Sequence, residues 1–250
     1  MTNKIKEYWD EISKEYQEEC NIPIGIHYGN GAPFEDELHL LGDLNGKRVL
    51  EIGCGGAQCG IAMAQQGARV IGIDISTEQL TFARELARRN GVDIKLYQGD
   101  IIEIPQVRSH SQDLVFSAWS LLYVDNLGSC LSEVYRVLKK KGIFVASMPH
   151  PVLRIVDPDS LVMKEGYFDV GKFEQEELRK DGSTRKLVAY HHTISELFDG
   201  FTTAGFSIET IIEPDPRAYR KRDPWYGKWD CTSELSNYIP LTMIFKVRKE

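Results

Sequence analysis

Short apolar runs alternate with longer amphipathic segments between residues 47 and 147. The runs are rich in β-branched residues, and most are flanked by turn residues. Their near-continuous apolar character is typical of strands that are covered on both faces. This alternation predicts βαβ units and a parallel sheet. The predicted strands are Arg48–Ile52, Arg69–Ile73, Ile94–Tyr97, Asp113–Ser117 and Gly142–Ser147.

The segments between these strands carry apolar residues at helical spacing. Two of them predict helices at Ala57–Gln66 and Leu127–Lys139. A third helix begins at Ser76, where Gln79 completes a capping-box pattern, and it ends before Gly91. Each predicted helix therefore connects two parallel strands.

The alternation lapses for about forty residues after Ser147, which is long for a connection. It then resumes with a helix at Thr193–Ala204, a strand at Phe206–Ile212 and a last strand at Leu241–Val247. At the other end, the first residues predict an amphipathic helix and a loop that lie outside the sheet. We expect one domain in four parts: an N-terminal helical arm or lid (1–45), a core (46–148), an insertion (149–192) and a C-terminal part of the sheet (193–250).

Composition and charge limit the partners of the chain. A hydrophobic fraction of 42% and a charged fraction of 27% are typical of a globular protein. The net charge of −7 argues against binding of a phosphate backbone. A basic run at Arg217, Arg220, Lys221 and Arg222 is interpreted as a solvated loop. Because no apolar run approaches the ~20 residues of a bilayer span, we expect neither nucleic acid nor membrane as partner.

The cysteines fit neither a zinc site nor a disulfide framework. Cys20, Cys54, Cys59, Cys130 and Cys231 form no CxxC pair and would leave one thiol unpaired on oxidation. The N-terminus also has no apolar segment typical of a signal peptide. These features predict a cytoplasmic protein without a metal site.

A glycine-rich turn follows the first predicted strand. Gly53-Cys54-Gly55 runs directly into a helix, and a Cβ at either glycine would fill space or disfavour a positive φ. This arrangement predicts a nucleotide-like ligand. The dinucleotide fingerprint would require glycine at position 58, where the chain has Gln58. An NAD-dependent oxidoreductase is therefore the weaker alternative.

Acidic residues follow the second and third predicted strands. Asp74 can accept hydrogen bonds from both hydroxyls of an adenosine ribose, a feature that NAD enzymes share. Asp100, after Gly99, distinguishes the alternatives, because an adenine amine needs an acceptor there and a dinucleotide fold needs no acid. The competing interpretation is that Asp100 only caps the next turn.

The chain resembles the class I S-adenosylmethionine-dependent methyltransferases, and within them the branch of the ubiquinone and menaquinone biosynthesis methyltransferases. The resemblance covers residues 46 to 147. It departs from the family at Ala57, where members often carry a third glycine; alanine fits there if its φ stays negative. The motifs are Glu51-x-Gly53-Cys54-Gly55, Gly72-x-Asp74, Gly99-Asp100, Asp113-Leu114-Val115 and Arg136-Val137-Leu138-Lys139-x-x-Gly142.

The resemblance implies an α/β fold, a Rossmann-like doubly wound sheet of seven strands in the order 3-2-1-4-5-7-6 with the last strand antiparallel. It also implies an S-adenosylmethionine-dependent methyltransferase whose core, 46–148, binds the cofactor over strands 1 to 3. The methyl acceptor would lie over strands 4 and 5. The expected cofactor-binding residues are Glu51, Gly53, Cys54, Gly55, Asp74, Ile75, Gln79, Gly99, Asp100, Ile101, Ser117 and Trp119.

An acceptor that carries a proton needs a nearby base. His150, which stands between two prolines directly after strand 5, is the first candidate, and His27 and Tyr28 are further candidates. A structural or exposed position is the alternative for each of them. His191 and His192, which precede a helix, are interpreted as structural.

Aromatic residues are frequent where a lid would lie. Their ring faces attract a sulfonium or a flat substrate, although most aromatic side chains serve packing. These covering segments favour an enzyme with a small-molecule acceptor, as a monomer or homodimer, over a non-catalytic S-adenosylmethionine-binding protein. The residues are Trp9, Tyr16, Tyr28, Trp119, Tyr123, Trp225, Tyr226 and Trp229.

Overall fold

A computed structural model describes residues 2–179, 182–225 and 234–250. The predictions for Tyr226, Trp229 and Cys231 lie outside these residues. The strands are β1 (Arg48–Ile52), β2 (Arg69–Asp74), β3 (Lys95–Gln98), β4 (Gln112–Ala118), β5 (Leu138–Pro149), β6 (Gly171–Leu178), β7 (Thr184–His191), β8 (Phe206–Ile212) and β9 (Thr242–Lys249). The helices are α1 (Thr2–Cys20), α2 (Glu35–Leu38), α3 (Gln58–Gln65), α4 (Thr77–Arg89), α5 (Leu127–Val137), α6 (Pro151–Ile155), α7 (Ile194–Thr203) and α8 (Pro216–Tyr219).

Seven strands form one sheet in the order β3-β2-β1-β4-β5-β9-β8. β9 pairs antiparallel with both of its neighbours, β5 and β8. The predicted order 3-2-1-4-5-7-6 is thus confirmed, because β6 and β7 form a separate two-stranded hairpin between the fifth and sixth strands of the sheet. The carboxyl ends of β1 to β5 meet at one edge, as in other open α/β sheets.

Alternating side chains along each strand enter two different packing layers. Leu50 of β1 packs in a buried cluster with residues of α5 and α7, including Phe201. Its neighbour Val49 packs in a second cluster with α3 and with the loop after α1. Helices on both faces therefore cover the sheet, which explains the near-continuous apolar strands.

The boundary between α5 and β5 differs from the prediction. The helix predicted to Lys139 ends at Val137, and β5 begins at Leu138 instead of Gly142. Leu138 is fully buried and pairs with Gln112 of β4, while Lys139 forms an ion pair with Asp113 at 2.6 Å. Tertiary pairing thus overrides the helical spacing at these residues.

The insertion contains regular structure that the sequence pattern did not reveal. β6 and β7 pair antiparallel through eight residues each. Most of β6 is exposed and charged, so it lacks the apolar signal of the sheet strands. The hairpin packs on α1, where the Tyr8 hydroxyl donates to both carboxylate oxygens of Glu177 at 2.9 and 3.0 Å. We call α1 and the β6–β7 hairpin together the cover.

α1 also contacts the amino end of α4. Its Asp10 accepts a hydrogen bond from the Ser76 hydroxyl at 2.7 Å, and Ser76 is the N-cap residue of α4. The cover therefore lies over the edge at which β1 and β2 end. Among the residues that the structure describes, no helix is both long and apolar enough to cross a bilayer.

Candidate active site

A cavity of about 590 Å³ lies between the carboxyl ends of the strands and the cover. Its floor is formed by the loops after β1, β2, β3, β4 and β5, and its roof includes Trp9 and Tyr16 of α1 and Phe173 of β6. Its size is in the usual range for a small-molecule pocket, roughly 300–1,000 Å³. The sheet edge and the cover together define one site.

The glycine turn after β1 approaches the cavity closely. Gly53 and Gly55 have φ values of +61° and +50°, a region that glycine adopts at the least steric cost. A Cβ on Gly53 would lie 2.2 Å from Cβ of Ser120, so the loop after β4 also excludes a side chain there. Gly53, Cys54 and Gly55 all line the cavity, as expected for cofactor-binding residues.

Asp74 at the end of β2 is buried and lines the cavity. Its Oδ2 accepts a hydrogen bond from the Gly55 amide at 2.7 Å, and its Oδ1 accepts one from the Ser76 amide at 2.8 Å. Burial raises the pKa of Asp74 to about 6. Since two carboxylate oxygens offer about four acceptor sites, both can accept further donors from a ligand.

Glu51 in β1 is an unsatisfied acceptor on the cavity wall. It is 4% exposed, and its Oε2 has no hydrogen-bond partner in the described part of the chain. Burial raises the pKa of Glu51 to about 8. A buried carboxyl in this state calls for a donor or a cation, which the amino group of S-adenosylmethionine would provide.

The third acidic position supports both interpretations of Asp100. The Asp100 Oδ1 accepts a hydrogen bond from the Ile102 amide at 3.1 Å, which caps the turn. Asp100 also lines the cavity together with Gly99 and Ile101. Its capping role therefore leaves its second carboxylate oxygen for a ligand.

α1 contributes a residue that the sequence did not single out. The Gln17 Oε1 accepts a hydrogen bond from Gln58 Nε2 at 2.6 Å, and the Gln17 Nε2 donates to Gln79 Oε1 at 2.8 Å. Gln79 and its neighbour Ile75, two of the expected cofactor-binding residues, line the cavity. Position 58, where the dinucleotide fingerprint would have glycine, thus carries a Gln58 side chain that holds α1 over the glycine turn. Only the helical pattern of α1 was visible in the sequence, and its docking position was not.

Two predicted site residues lie elsewhere. Ser117 is fully buried behind the cavity wall, and its hydroxyl lies 2.6 Å from that of Ser120, which lines the cavity in its place. Tyr28 is fully buried in the core against Phe116, and its hydroxyl donates to Glu35. Neither side chain is part of the cavity lining. Strand alternation and loop packing turn them inward.

Ala57 also differs from the expectation. Its φ is +57°, in the left-handed region, whereas a negative value was expected. The residue is fully buried and packs with Leu80 and Ala83 of α4. The turn therefore keeps the backbone shape that a third glycine would adopt, and burial of the methyl group offsets part of the strain.

Trp119 after β4 is held rigidly at the cavity. Its φ is +56°, and its Nε1 donates to the Thr242 hydroxyl at 3.0 Å. Thr242 in turn donates to the Asn30 carbonyl at 2.5 Å. Gly29 is required beside the ring, since a Cβ there would lie 2.2 Å from the indole nitrogen. These contacts fix the orientation of the indole ring.

His150 lines the cavity, but both of its ring nitrogens have partners in the protein. Nδ1 accepts a hydrogen bond from the Val152 amide at 3.2 Å and so caps α6. Nε2 lies 2.7 Å from Glu213 Oε1. Because Nδ1 is an acceptor, the proton of a neutral ring lies on Nε2 and is donated to Glu213. No ring lone pair is left for a substrate proton in this arrangement.

His27 lines the same cavity, and one of its ring nitrogens has no hydrogen-bond partner among the described residues. Its Nδ1 is buried and has no partner among the described residues, and burial lowers the pKa of His27 to about 4. The ring contacts Trp225 edge to face, with 5.0 Å between centroids. His27 is therefore neutral at pH 7 and can offer a hydrogen bond to a ligand.

The two histidines that end the hairpin also reach the cavity. His191 Nε2 bonds to the Tyr167 carbonyl at 2.9 Å, which agrees with the structural interpretation. His192 Nε2 is buried without a partner in the described part of the chain, and burial lowers the pKa of His192. The sequence offered no signal that would separate these neighbours.

An aromatic cluster covers the cavity. Trp9 makes edge-to-face contacts with Tyr8, Tyr16 and Tyr123, at centroid distances of 5.6, 5.4 and 5.4 Å. The cluster joins α1 to the loop after β4. It supplies apolar ring surface where a flat ligand or a sulfonium would be excluded from water.

The geometry defines a nucleotide-type site in a Rossmann-like α/β fold, and comparison with known proteins agrees with it. The methyltransferase domain family matches residues 43–204. A ubiquinone biosynthesis O-methyltransferase of Vibrio cholerae is 29% identical over 178 residues, which cover 68% of this chain and 72% of the relative.

Solved structures share the fold. A structure of an S-adenosylmethionine dependent methyltransferase from Mesorhizobium loti superposes with a TM-score of 0.68 and 23% identity, over 85% of this chain and 95% of the other. The structure of the cyclase SpnF also superposes with a TM-score of 0.68 at 19% identity, over 100% of this chain and 96% of the other.

This chain belongs to the methyltransferase domain family. The region that matches the family makes up more than half of the chain. It is an enzyme of the class I type that depends on S-adenosylmethionine as methyl donor.

Proposed function

We propose that this enzyme methylates a small molecule inside the cavity beneath the cover. The observation that carries the proposal is the cover over the site: α1, the hairpin and the aromatic cluster around Trp9 lie over a cavity of about 590 Å³, which would hold cofactor and acceptor together. A macromolecular acceptor would need an open face beside the cofactor. The net charge of −7 further disfavours a nucleic acid acceptor.

The residues on the β1, β2 and β3 side fit S-adenosylmethionine. Asp74 offers acceptors for the ribose hydroxyls, Glu51 an acceptor for the amino group, and Asp100 an acceptor for the adenine amine. Gly53 and Gly55 let the backbone approach the ligand. When bound, the cofactor supplies a methyl group on a sulfonium. The leaving group, S-adenosylhomocysteine, is a neutral thioether, so its departure needs no general acid.

The chain's own tasks are then to align the acceptor, to exclude water and to receive a proton where the acceptor carries one. We assign proton acceptance or hydrogen bonding at the nucleophile to His27 Nδ1, because that atom has no partner among the described residues. His150 fits a positioning role better, as the cap of α6 beside Glu213. Trp119 would form a rigid wall beside the acceptor.

The arm (1–45) and the insertion (149–192) would act as a lid over the core (46–148), with residues 193–250 completing the sheet. The proposal rests on the bonds of α1 to both sides of the site: Gln17 to the glycine-turn side and Tyr8 to the hairpin. Opening of these contacts would widen the path for substrate entry.

We also propose that the enzyme acts in the cytoplasm, without a membrane partner, as a monomer or homodimer. Cys54, Cys59 and Cys130 are buried free thiols, which suits a reducing compartment.

The test is incubation with radiolabelled S-adenosylmethionine and a panel of phenols, quinones, amines and indoles, with a protein or RNA panel in parallel. Label should pass to one class of small molecules. Transfer to protein or RNA alone would reject the small-molecule proposal. Cofactor binding without transfer to any acceptor would favour a non-catalytic binding protein or, as the likeness to SpnF suggests, a different reaction in the same fold.

A further inference from the structure

Five residues that line the cavity carry buried side-chain polar atoms without a hydrogen-bond partner in the described part of the chain. Among the described residues, the buried side-chain atoms without a hydrogen bond include one each on His27, Asn30, Glu51 and His192, and two on Arg154. All five residues line the cavity. An unsatisfied buried polar atom costs about 1–3 kcal/mol, so this concentration points to partners supplied by ligands.

Arg154 is the cationic member of this set. It lies in α6, directly after β5, and its side chain is 18% exposed. Its Nε and Nη1 are buried and have no partner in the described part of the chain, whereas Nη2 forms an ion pair with Glu165. The guanidinium thus keeps unused donors although one acid already neutralises part of its charge.

The orientation of Arg154 is fixed by a ring. Its Cζ lies 4.4 Å from the centroid of Phe173 in β6, a stacking contact that holds the guanidinium plane. Glu165 holds the third nitrogen from another side. The free donors are consequently pre-oriented, as a recognition site requires.

The position of Arg154 separates it from the cofactor residues. Those residues follow β1, β2 and β3, whereas Arg154 follows β5, on the acceptor side of the topological switch. On the basis of the proposed function, we infer that the methyl acceptor carries a carboxylate and that Arg154 binds this group through Nε and Nη1.

Charge balance favours a single negative charge over a dianionic phosphate. Glu165 already faces the guanidinium, and Asp74, Asp100 and Glu174 line the same cavity. Lys164 also lines the cavity, but acidic side chains outnumber the basic ones there, so like-charge repulsion disfavours a dianion. The aromatic roof suits a planar ring, so an aromatic carboxylic acid fits the site best.

The experiment measures binding to the full chain saturated with S-adenosylhomocysteine. The probes are matched acid and amide pairs built on benzene, catechol, indole and pyridine rings, titrated by calorimetry. At least one acid should bind at least tenfold more tightly than its amide, and Arg154→Gln should abolish that preference while the amide affinity stays unchanged. Arg154→Lys, which keeps the charge without the planar group, should retain part of the preference.

Two further variants separate recognition from folding. Glu165→Gln removes the competing acid, so acid binding should become severalfold tighter; a purely structural ion pair predicts weaker binding. Arg217→Gln, at an exposed ion pair with Asp215, is the matched control and should leave both affinities unchanged. Melting curves of each variant exclude global unfolding.

Three results would overturn the inference. These are equal binding of acid and amide in every pair, a preference that survives in Arg154→Gln, and a tenfold loss of S-adenosylhomocysteine affinity in that variant, which would assign Arg154 to the carboxylate of the cofactor. Failure of the wild-type protein to bind S-adenosylhomocysteine would instead reject the proposed function, on which the inference rests.

Discussion

The Asp74 Oδ2 atom and the Gly55 amide nitrogen lie 2.7 Å apart and form a hydrogen bond. This bond joins the end of β2 to the glycine turn after β1. The acid that we assign to the ribose therefore also fixes the turn beside it. The cofactor side of the site is one connected unit, so a change in the turn is expected to affect binding as well as folding.

The first prediction concerns the space beside Gly53. In Gly53→Ala the new methyl group meets Ser120 at 2.2 Å and the φ of +61° disfavours any side chain. We expect loss of measurable S-adenosylhomocysteine binding and a clear fall in stability. Gly46→Ala is the matched control, since Gly46 has a φ of +71° with open space around it, and it should lose only about 1–2 kcal/mol. Equal effects of both variants in binding and denaturation would show that the space does not matter.

The second prediction concerns pH and Glu51. Burial raises the pKa of this carboxyl from 4.5 to about 8, so the native state binds its proton more tightly than the unfolded state does. The resulting stabilisation is full below pH 4.5 and is lost as the pH rises through 8. Between pH 6.5 and 7.5 the ligand-free protein should lose about 1.4 kcal/mol more stability than Glu51→Gln does. Parallel urea-denaturation profiles for the two proteins would mean that Glu51 is already ionised.

The third prediction separates the two candidate histidines. With a hydroxyl acceptor, His27→Ala should lower kcat by about 10²–10⁴-fold, the range for loss of a general base. Because the pKa of His27 is about 4, the ring stays neutral between pH 8 and pH 6. Titration of His27 should therefore cause no decline in wild-type kcat over this range.

His150→Ala is the comparison variant. It removes the cap of α6, which costs about 1 kcal/mol of stability, and it should change kcat less than fivefold. A 10²–10⁴-fold loss of kcat in His150→Ala, with His27→Ala nearly unaffected, would reverse the two assignments and give the base role to His150.

The fourth prediction concerns the cover. Amide hydrogen exchange in α1 and in β6–β7 should slow when S-adenosylhomocysteine and an acceptor are both bound, because their contacts to Gln58, Gln79 and each other would open for entry. β8, none of whose residues lines the cavity, serves as internal control. Identical exchange in the cover of the free and doubly bound protein would remove the lid proposal.

The bounds of some strands were predictable to the residue, because buried strands have a clear apolar pattern in the sequence. β1 and β8 have the predicted bounds, and the strand order follows from motifs that lie on the strands and their loops. Ser117 and Tyr28 lie outside the cavity lining, which could not be predicted because sequence does not reveal which way a side chain turns at the end of a strand or in a loop. Gln17 and Arg154 were missed because their roles depend on how separate covering elements dock on the cavity.

The central claim is that the site is built for S-adenosylmethionine and not for NAD. Calorimetry with S-adenosylhomocysteine, NAD and the variant Asp74→Ala tests it most directly, with exposed Asp93→Ala as control. We predict micromolar binding of S-adenosylhomocysteine, no binding of NAD, and a loss of about 1.5–3 kcal/mol in Asp74→Ala, because the ribose hydroxyls lose a charged acceptor. Binding of NAD without any response to S-adenosylhomocysteine would contradict the account.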